Sequence, residues 1–189
     1  MTPGRGRKTP RRWDCLPLAK HPGFSVHIAI QDKELTIMSA QNKQVVEDFI
    51  QALFTRGELE AVDEYLAPEF VDHNPSIPGQ AGDRESMRSA GAVFRAAFPD
   101  WRSTVEDLIA VDDKVVERFT ARGTHQAELM HIPPTGRAVA LSGINIFRLR
   151  NGKIVERWGV LDQLGLMQQL GAAPTPQLPD RHEPSISGK

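Results

Sequence analysis

The spacing of apolar residues changes near residue 100, and this change restricts the fold more than any other feature of the chain. Before it, apolar side chains recur every three or four residues, as in Val45, Phe49 and Leu53, a pattern that predicts amphipathic helices. After it, apolar and polar residues alternate, which predicts half-buried strands. Helices that precede a block of antiparallel strands indicate an α+β fold, in which a curved sheet can wrap the helices and leave a hollow at its open end.

Turn and cap residues divide the chain into elements. The helices are predicted at residues 42–57, 59–66, 83–98 and 162–170, and the strands at 69–74, 101–111, 114–126, 137–150 and 153–161. Gly57 is expected to end the first helix, and Asp83 to cap the third. Asn151-Gly152 is typical of a two-residue type I′ hairpin turn. Residues 128–136 contain Pro133-Pro134 and are expected to be irregular.

The two ends of the chain differ in composition from the domain predicted between them, residues 39–173. Residues 1–38 are rich in Arg, Pro and Gly, and we expect a disordered or loosely attached basic leader, with an isolated short strand at Phe24–Ile30. A translation start at Met38, or a basic arm that binds a polyanion, are two further interpretations of this leader. Residues 174–189 return to Pro, Ser and Gly and are expected to form a disordered tail.

The composition describes a soluble globular protein, with 40% hydrophobic and 25% charged residues. The net charge of −1 gives no support for binding of nucleic acid or of a membrane surface by the whole molecule. No apolar run approaches the length that crosses a bilayer, about 20 residues. The single cysteine, Cys15, excludes an internal disulfide and fits a reducing compartment, so we expect a cytoplasmic protein.

Two carboxylates share one face of the last predicted strand with apolar side chains. Alternation places Ile154, Glu156, Trp158, Val160 and Asp162 on that face. A carboxylic acid among apolar groups is partly desolvated, and desolvation raises its pKa toward the range useful for proton transfer. We therefore expect the rest of the chain to build a pocket over this face.

Three segments carry a resemblance to a known family: GELEAVDEYLAPEFVDHNP at 57–75, GTHQAELMHIPPTGR at 123–137 and GINIFRLRNGKIVERWGVLDQLGLMQQLG at 143–171. With them, the run from about residue 41 to 172 resembles the SnoaL-like polyketide cyclases, within the nuclear transport factor 2-like fold. The resemblance implies a cone-shaped α+β domain, with N-terminal helices packed on a curved antiparallel sheet and a short C-terminal helix. It also implies a homodimer or a higher homo-oligomer that acts on a small hydrophobic molecule without a cofactor.

The resemblance also implies catalytic residues. In these cyclases an aspartate at the end of the last strand is the acid and base of an intramolecular aldol closure, and it matches Asp162 in WGVLD. Histidines that line the pocket match His73 in VDHNP and, more loosely, His125 in GTHQ. Asp162 would remove a proton next to a carbonyl, and one of the two histidines would stabilise the enolate oxygen or return the proton.

Three further residues are expected at the substrate. Trp158 and Phe119 would form part of the pocket wall. His131 lies where relatives usually carry a small residue, so that it would narrow the mouth of the pocket or add a polar group there. No two histidines have a short ligand spacing, so no metal site is expected. Nucleotide-binding glycine loops and a nucleophilic serine elbow are missing from the sequence.

Each catalytic residue also has a purely structural interpretation. Asp162 directly precedes a predicted helix and can serve as its N-cap. His73 can be a solvated turn residue, and His125 a hydrogen-bonded core histidine.

Two other functions remain open for this fold. Epoxide or ester hydrolysis would require Asp162 to meet Arg118 and a second carboxylate, Glu156 or Asp72. A ligand-binding module without catalysis would fit a filled pocket, or histidines that point to solvent.

Overall fold

A computed structural model describes residues 22–175 of the chain, with side chains described from Thr36 onward. Residues 36–175 belong to one compact unit. Of the predicted leader, residues 1–21 lie outside the described residues, as do residues 176–189 of the predicted tail and the interpretations that fall on them. No helix within residues 22–175 is both long and apolar enough to cross a membrane.

The first helix, α1, spans Pro22–Ile50 and continues as a π-helical segment, Gln51–Arg56. Gly57 ends it with a left-handed backbone, φ 76°, as expected. The short strand predicted at Phe24–Ile30 is wrong, because these residues are helical. A lone strand leaves its backbone groups unpaired, whereas a helix satisfies them within the segment.

The remaining helices are short or amphipathic. Helix α2 spans Ala61–Tyr65, α3 spans Arg84–Ala97 and α4 spans Gln163–Leu170. The carboxylate of Asp83 accepts a hydrogen bond from the Ser86 backbone N–H at 2.8 Å, which confirms the predicted cap of α3.

Five strands form one sheet, and their bounds are β1 Leu66–Asp72, β2 Arg102–Val111, β3 Lys114–Thr124, β4 Ala138–Arg150 and β5 Lys153–Leu161. The order is β1-β5-β4-β3-β2, so that β2 to β5 form the antiparallel meander expected from the alternation. Asn151 and Gly152 both have positive φ, 52° and 73°, as a type I′ turn requires. Strand β1 pairs in parallel with β5 at the edge of the sheet, and it takes Leu66 from the predicted second helix.

The helices pack on the inner face of the sheet in two apolar clusters. One joins α1 and the π-helical segment to β4 and β5, with Phe49, Leu53 and Phe147 fully buried. The other joins α3 and α4 to β3 and β4, around Phe98 and Trp101. The α+β fold predicted from the sequence is confirmed.

Candidate functional site

A hollow lies between the helices and the inner face of the sheet. Its cavity volume, counted as the space open to the centre of a water molecule, is about 40 Å³, whereas the space free of atoms, which includes open solvent, is about 480 Å³. Aromatic side chains form much of its wall: Phe49, Phe54, Phe94, Trp101, Phe119 and Phe147. Its polar groups are few and include Glu117, Asn145 and Arg157. A concave, mostly apolar site with a few convergent polar groups is the usual form of a small-molecule site.

A β-bulge in β5 decides which residues of that strand face the hollow. Ile154 and Glu156 face consecutive residues of β4, so Val155 is an extra residue with no partner opposite. Beyond it the alternation is reversed, and Arg157 lines the hollow. The prediction that Glu156, Trp158 and Val160 share a pocket face with Ile154 is therefore wrong.

Four buried polar side chains run from the hollow to the sheet edge. Asn145 donates from Nδ2 to Glu117 Oε2 at 2.7 Å, and Arg157 donates from Nε to Asn145 Oδ1 at 3.0 Å. Arg157 also donates from Nη1 to Asp72 Oδ2 at 2.6 Å. The second oxygen of Asp72 accepts the backbone N–H of Asn74 at 3.0 Å. The four side chains, each from a different strand, form one hydrogen-bonded chain, the buried polar chain.

Glu117 is the group in this chain best placed for proton transfer. It is 0% exposed, and its Oε1 has no hydrogen-bond partner. Burial raises the pKa of Glu117 to about 7, although the hydrogen bond from Asn145 and the charge of Arg157 act to lower it. A carboxyl group with that pKa is present in both protonation states near neutral pH and can act as base and as acid.

Asp162 and His73 lie away from the hollow. Asp162 is exposed, and its Oδ1 accepts the Gly165 backbone N–H at 2.9 Å, so that it caps α4. His73 is exposed too, and its ring stacks on Trp158 with centroids 4.6 Å apart. The bulge in β5 places Trp158 on the outer face, so its predicted role as a pocket wall is wrong.

His125 is buried, but not in the hollow. Its ring packs 5.2 Å from that of Phe98, and its Nδ1 accepts the Thr135 backbone N–H at 3.2 Å. Burial lowers the pKa of His125. The structure therefore does not bring His125, His73 and Asp162 around one cavity, as the catalytic prediction required.

Of the remaining predicted residues, one lines the hollow and the others lie outside it. Phe119 lines the hollow. His131 has a side chain that is 99% exposed, on a backbone with φ 68°, and does not line the hollow. Arg118 pairs with Glu106 and Asp107 on the surface, so the Arg118 arrangement considered for a hydrolase does not form.

Comparison with known proteins decides the family. The family model for SnoaL-like polyketide cyclases matches residues 44–170. The chain belongs to this family.

Among curated SnoaL-like relatives, aklanonic acid methyl ester cyclase DnrD of Streptomyces peucetius is 30% identical over 117 residues, which cover 60% of this chain and 77% of that protein. Nogalonic acid methyl ester cyclase of Streptomyces nogalater is 28% identical over 120 residues, covering 62% and 89% of the two chains. The solved structure of IdmH from Streptomyces antibioticus is 37% identical with a TM-score of 0.62, and covers 69% of this chain and 99% of its own. TsrD from Streptomyces laurentii is 32% identical with a TM-score of 0.64, at coverages of 71% and 97%.

The alternation and motifs of this SnoaL-like sequence did not predict the buried polar chain. Glu117 belongs to the more apolar face of β3, with Val115, Phe119 and Ala121. A carboxylate in an apolar alternating set was the available signal, because burial of a charged group requires a partner. Alternation along β5 could not identify Arg157 as an inward residue, because the bulge at Val155 reverses the alternation before it. Among the side chains described, no three His, Cys, Asp or Glu residues are grouped to hold a metal ion.

Proposed function

We propose that this chain is a cyclase-type enzyme in which Glu117 moves a proton on a hydrophobic, carbonyl-bearing substrate held in the hollow. The observation that carries the proposal is the free Oε1 of a fully buried carboxyl group with a pKa of about 7 in an aromatic cavity. The relatives named above, methyl ester cyclases of polyketide acids, support the reaction class.

In this mechanism Glu117 serves first as base and then as acid. Its carboxylate removes a proton from the carbon next to a carbonyl, and the resulting enolate forms a carbon–carbon bond to a second carbonyl of the same substrate. The new alkoxide then takes a proton from Glu117, which regenerates the carboxylate. Apart from the carbon–carbon bond, only proton transfers are needed, and the proposed reaction uses no cofactor. A positioned general base typically accelerates such a step by about 10²–10⁴-fold.

The other residues of the site hold the base and the substrate. Asn145 orients Glu117 through its 2.7 Å hydrogen bond and leaves Oε1 free for the substrate. Ser76 and Ser103 line the same hollow, and we assign their hydroxyls as donors to the enolate oxygen. Phe119 and the other aromatic rings exclude water and stack against a flat, unsaturated substrate.

The test uses the purified protein with aklanonic and nogalonic acid methyl esters as probes in deuterated water. We expect deuterium at the carbon next to the carbonyl, detected by NMR, and a cyclised product of unchanged composition in protonated water. Glu117→Gln should lose both signals. The matched control is Glu156→Gln, a half-buried carboxylate on the outer face paired with Arg148 at 2.7 Å, which should keep them. A Glu117→Gln protein that still exchanges and cyclises would contradict the proposal.

A second candidate function is hydrolysis of an epoxide or ester. The buried polar chain favours it, because it joins two carboxylates, Glu117 and Asp72, and the guanidinium of Arg157 in one series of hydrogen bonds. Glu117 would then activate a water molecule. A product that takes up ¹⁸O from labelled water identifies hydrolysis, whereas aldol closure incorporates none. Binding of the probe without deuteration or hydrolysis would favour the non-catalytic ligand-binding module.

The assembly and location of the protein are also proposed. The resemblance to this family supports a homodimer or a larger homo-oligomer, which light scattering coupled to size-exclusion chromatography measures directly. The single Cys15 supports a cytoplasmic location.

A further inference from the structure

Gly159 lies beside the guanidinium of Arg157 on the strand that lines the hollow. It faces Asn145 in the adjacent strand β4. A Cβ atom at position 159 would overlap Arg157 Nη2, and would lie 2.7 Å from Arg157 Cζ and 2.7 Å from Asn145 Oδ1. Carbon atoms do not approach non-bonded atoms so closely, so any larger residue would force Arg157 or Asn145 to move.

The backbone does not explain this glycine. Six glycines among the described residues have a positive φ, and Gly159 is not one of them. Its backbone has an ordinary strand conformation. A glycine inside a strand weakens it, and such residues often mark a close approach of another group. Here that group is a side chain from the same strand, which folds over Gly159 to reach both Asn145 and Asp72.

We propose that Gly159 is a positioning residue, whose missing side chain leaves the space in which Arg157 lies between Asp72 and Asn145 and so sets the charge that Glu117 meets. Glu117 is the proposed catalytic group, so this inference rests on the proposed function. Arg157 acts on it through Asn145 and through its own positive charge.

Few charged groups face Glu117 from the elements around it. Arg157 comes from β5, and Asp72 of β1 lies behind it and offsets its charge. The residues that α1, the π-helical segment, α3, β2 and β4 contribute to the hollow are uncharged, as are those from β3 other than Glu117 itself and Ser76 of the loop after β1. The pKa of Glu117 should therefore respond to the position and net charge of the Arg157–Asp72 pair.

Two substitutions should move the pKa of Glu117 in opposite directions. Gly159→Ala displaces Arg157, so the positive charge near Glu117 weakens and the pKa rises. Asp72→Asn keeps the shape and one of the two acceptor oxygens but leaves the charge of Arg157 uncompensated, so the pKa falls. Each shift is expected to be at most about 1 pH unit, because a charge shifts a pKa by one unit or more only when it lies within about 4–6 Å. A loss of folding stability alone would not give shifts of opposite sign.

The experiment is a ¹³C NMR titration of the full chain labelled at glutamate carboxyl carbons, with Glu117 assigned by its disappearance in Glu117→Gln. Gly143→Ala is the matched control, because the three nearest atoms that its Cβ would meet belong to Leu161 and Phe119, which carry no charge. It should leave the pKa of Glu117 unchanged. If Asp72→Asn does not fold, the double variant Asp72→Asn/Arg157→Gln removes both charges and should raise the pKa.

This readout needs no substrate, so the two proposals fail separately. A pKa of Glu117 that is unchanged or lowered in Gly159→Ala overturns the positioning role, whatever the enzyme turns over. If the pKa of Glu117 shifts as expected but the protein turns over neither probe, the positioning role of Gly159 is upheld and the proposed function is refuted. Where both hold, the acidic limb of the kcat/KM profile moves with the titrated pKa.

Discussion

The burial of Glu117 should make the stability of the protein depend on pH in a defined way. The pKa of Glu117 is about 7 in the folded chain, against an ordinary value of 4.5. The folded state therefore holds this proton more tightly than the unfolded state does. The stabilising contribution is fully present below pH 4.5 and is lost as the pH rises through about 7.

The size of this effect follows from the shift of about 2.5 pKa units. At about 1.4 kcal/mol per unit, ionised Glu117 lowers the free energy of unfolding by about 3.5 kcal/mol above neutral pH. Glu117→Gln preserves the neutral shape and an acceptor for Asn145, but it cannot ionise. Its stability relative to the natural chain should therefore increase by about 2–3 kcal/mol between pH 5 and pH 8.

Urea unfolding of both proteins at pH 5 and pH 8 measures this difference, and the pH dependence of every other group cancels in the comparison. Glu156→Gln serves as control, because its half-buried outer carboxylate is paired with Arg148 and should show no such gain. A stability difference for Glu117→Gln that is equal at both pH values would refute a raised pKa for Glu117. A variant that is more stable at pH 8 and inactive would show that stability is given up for function at this position.

Two further predictions concern the residues first expected to be catalytic. Asp162→Ala removes the cap of α4, so urea unfolding should show a loss of about 1 kcal/mol while turnover of the probes stays within a few-fold of the natural chain; loss of all turnover without a change in stability would restore its catalytic role. Burial lowers the pKa of His125, so stability should fall as the pH drops below about 6.5, where the unfolded histidine takes up a proton. His125→Gln should remove this acid-side slope in thermal unfolding between pH 7 and pH 5, and an unaltered slope would assign it to other groups.

Much of the fold is encoded locally and was predictable. Gly57 ends the first helix and Asp83 caps α3 because a left-handed turn and an N-terminal acceptor depend on residues a few positions apart. Asn151-Gly152 sets its hairpin for the same reason. Local signals could not predict the parallel pairing of β1 with β5, because the two strands are far apart in the chain.

The candidate site residues show the same difference between what local sequence signals predict and what contacts between distant residues decide. Asp162 has the residue type of a pocket base and of a helix cap, and only the structure shows the cap. His125 points inward, as its alternating set indicated, but it packs on Phe98 rather than on a substrate cavity. Glu117 could be recognised in the sequence as a carboxylate in an apolar alternating set. That its Oε1 is buried without a hydrogen-bond partner follows only from the side chains around it in the structure.

The last strand illustrates what the sequence alone determines and what it leaves to the tertiary structure. Its extent, its hairpin and its place in an α+β order follow from alternation and turn chemistry, which act over a few residues. Its inward face does not, because the bulge at Val155 exists only where two strands pair. That one extra residue turns Arg157 inward to meet Asp72, 85 residues earlier in the chain, and so builds the polar chain around Glu117.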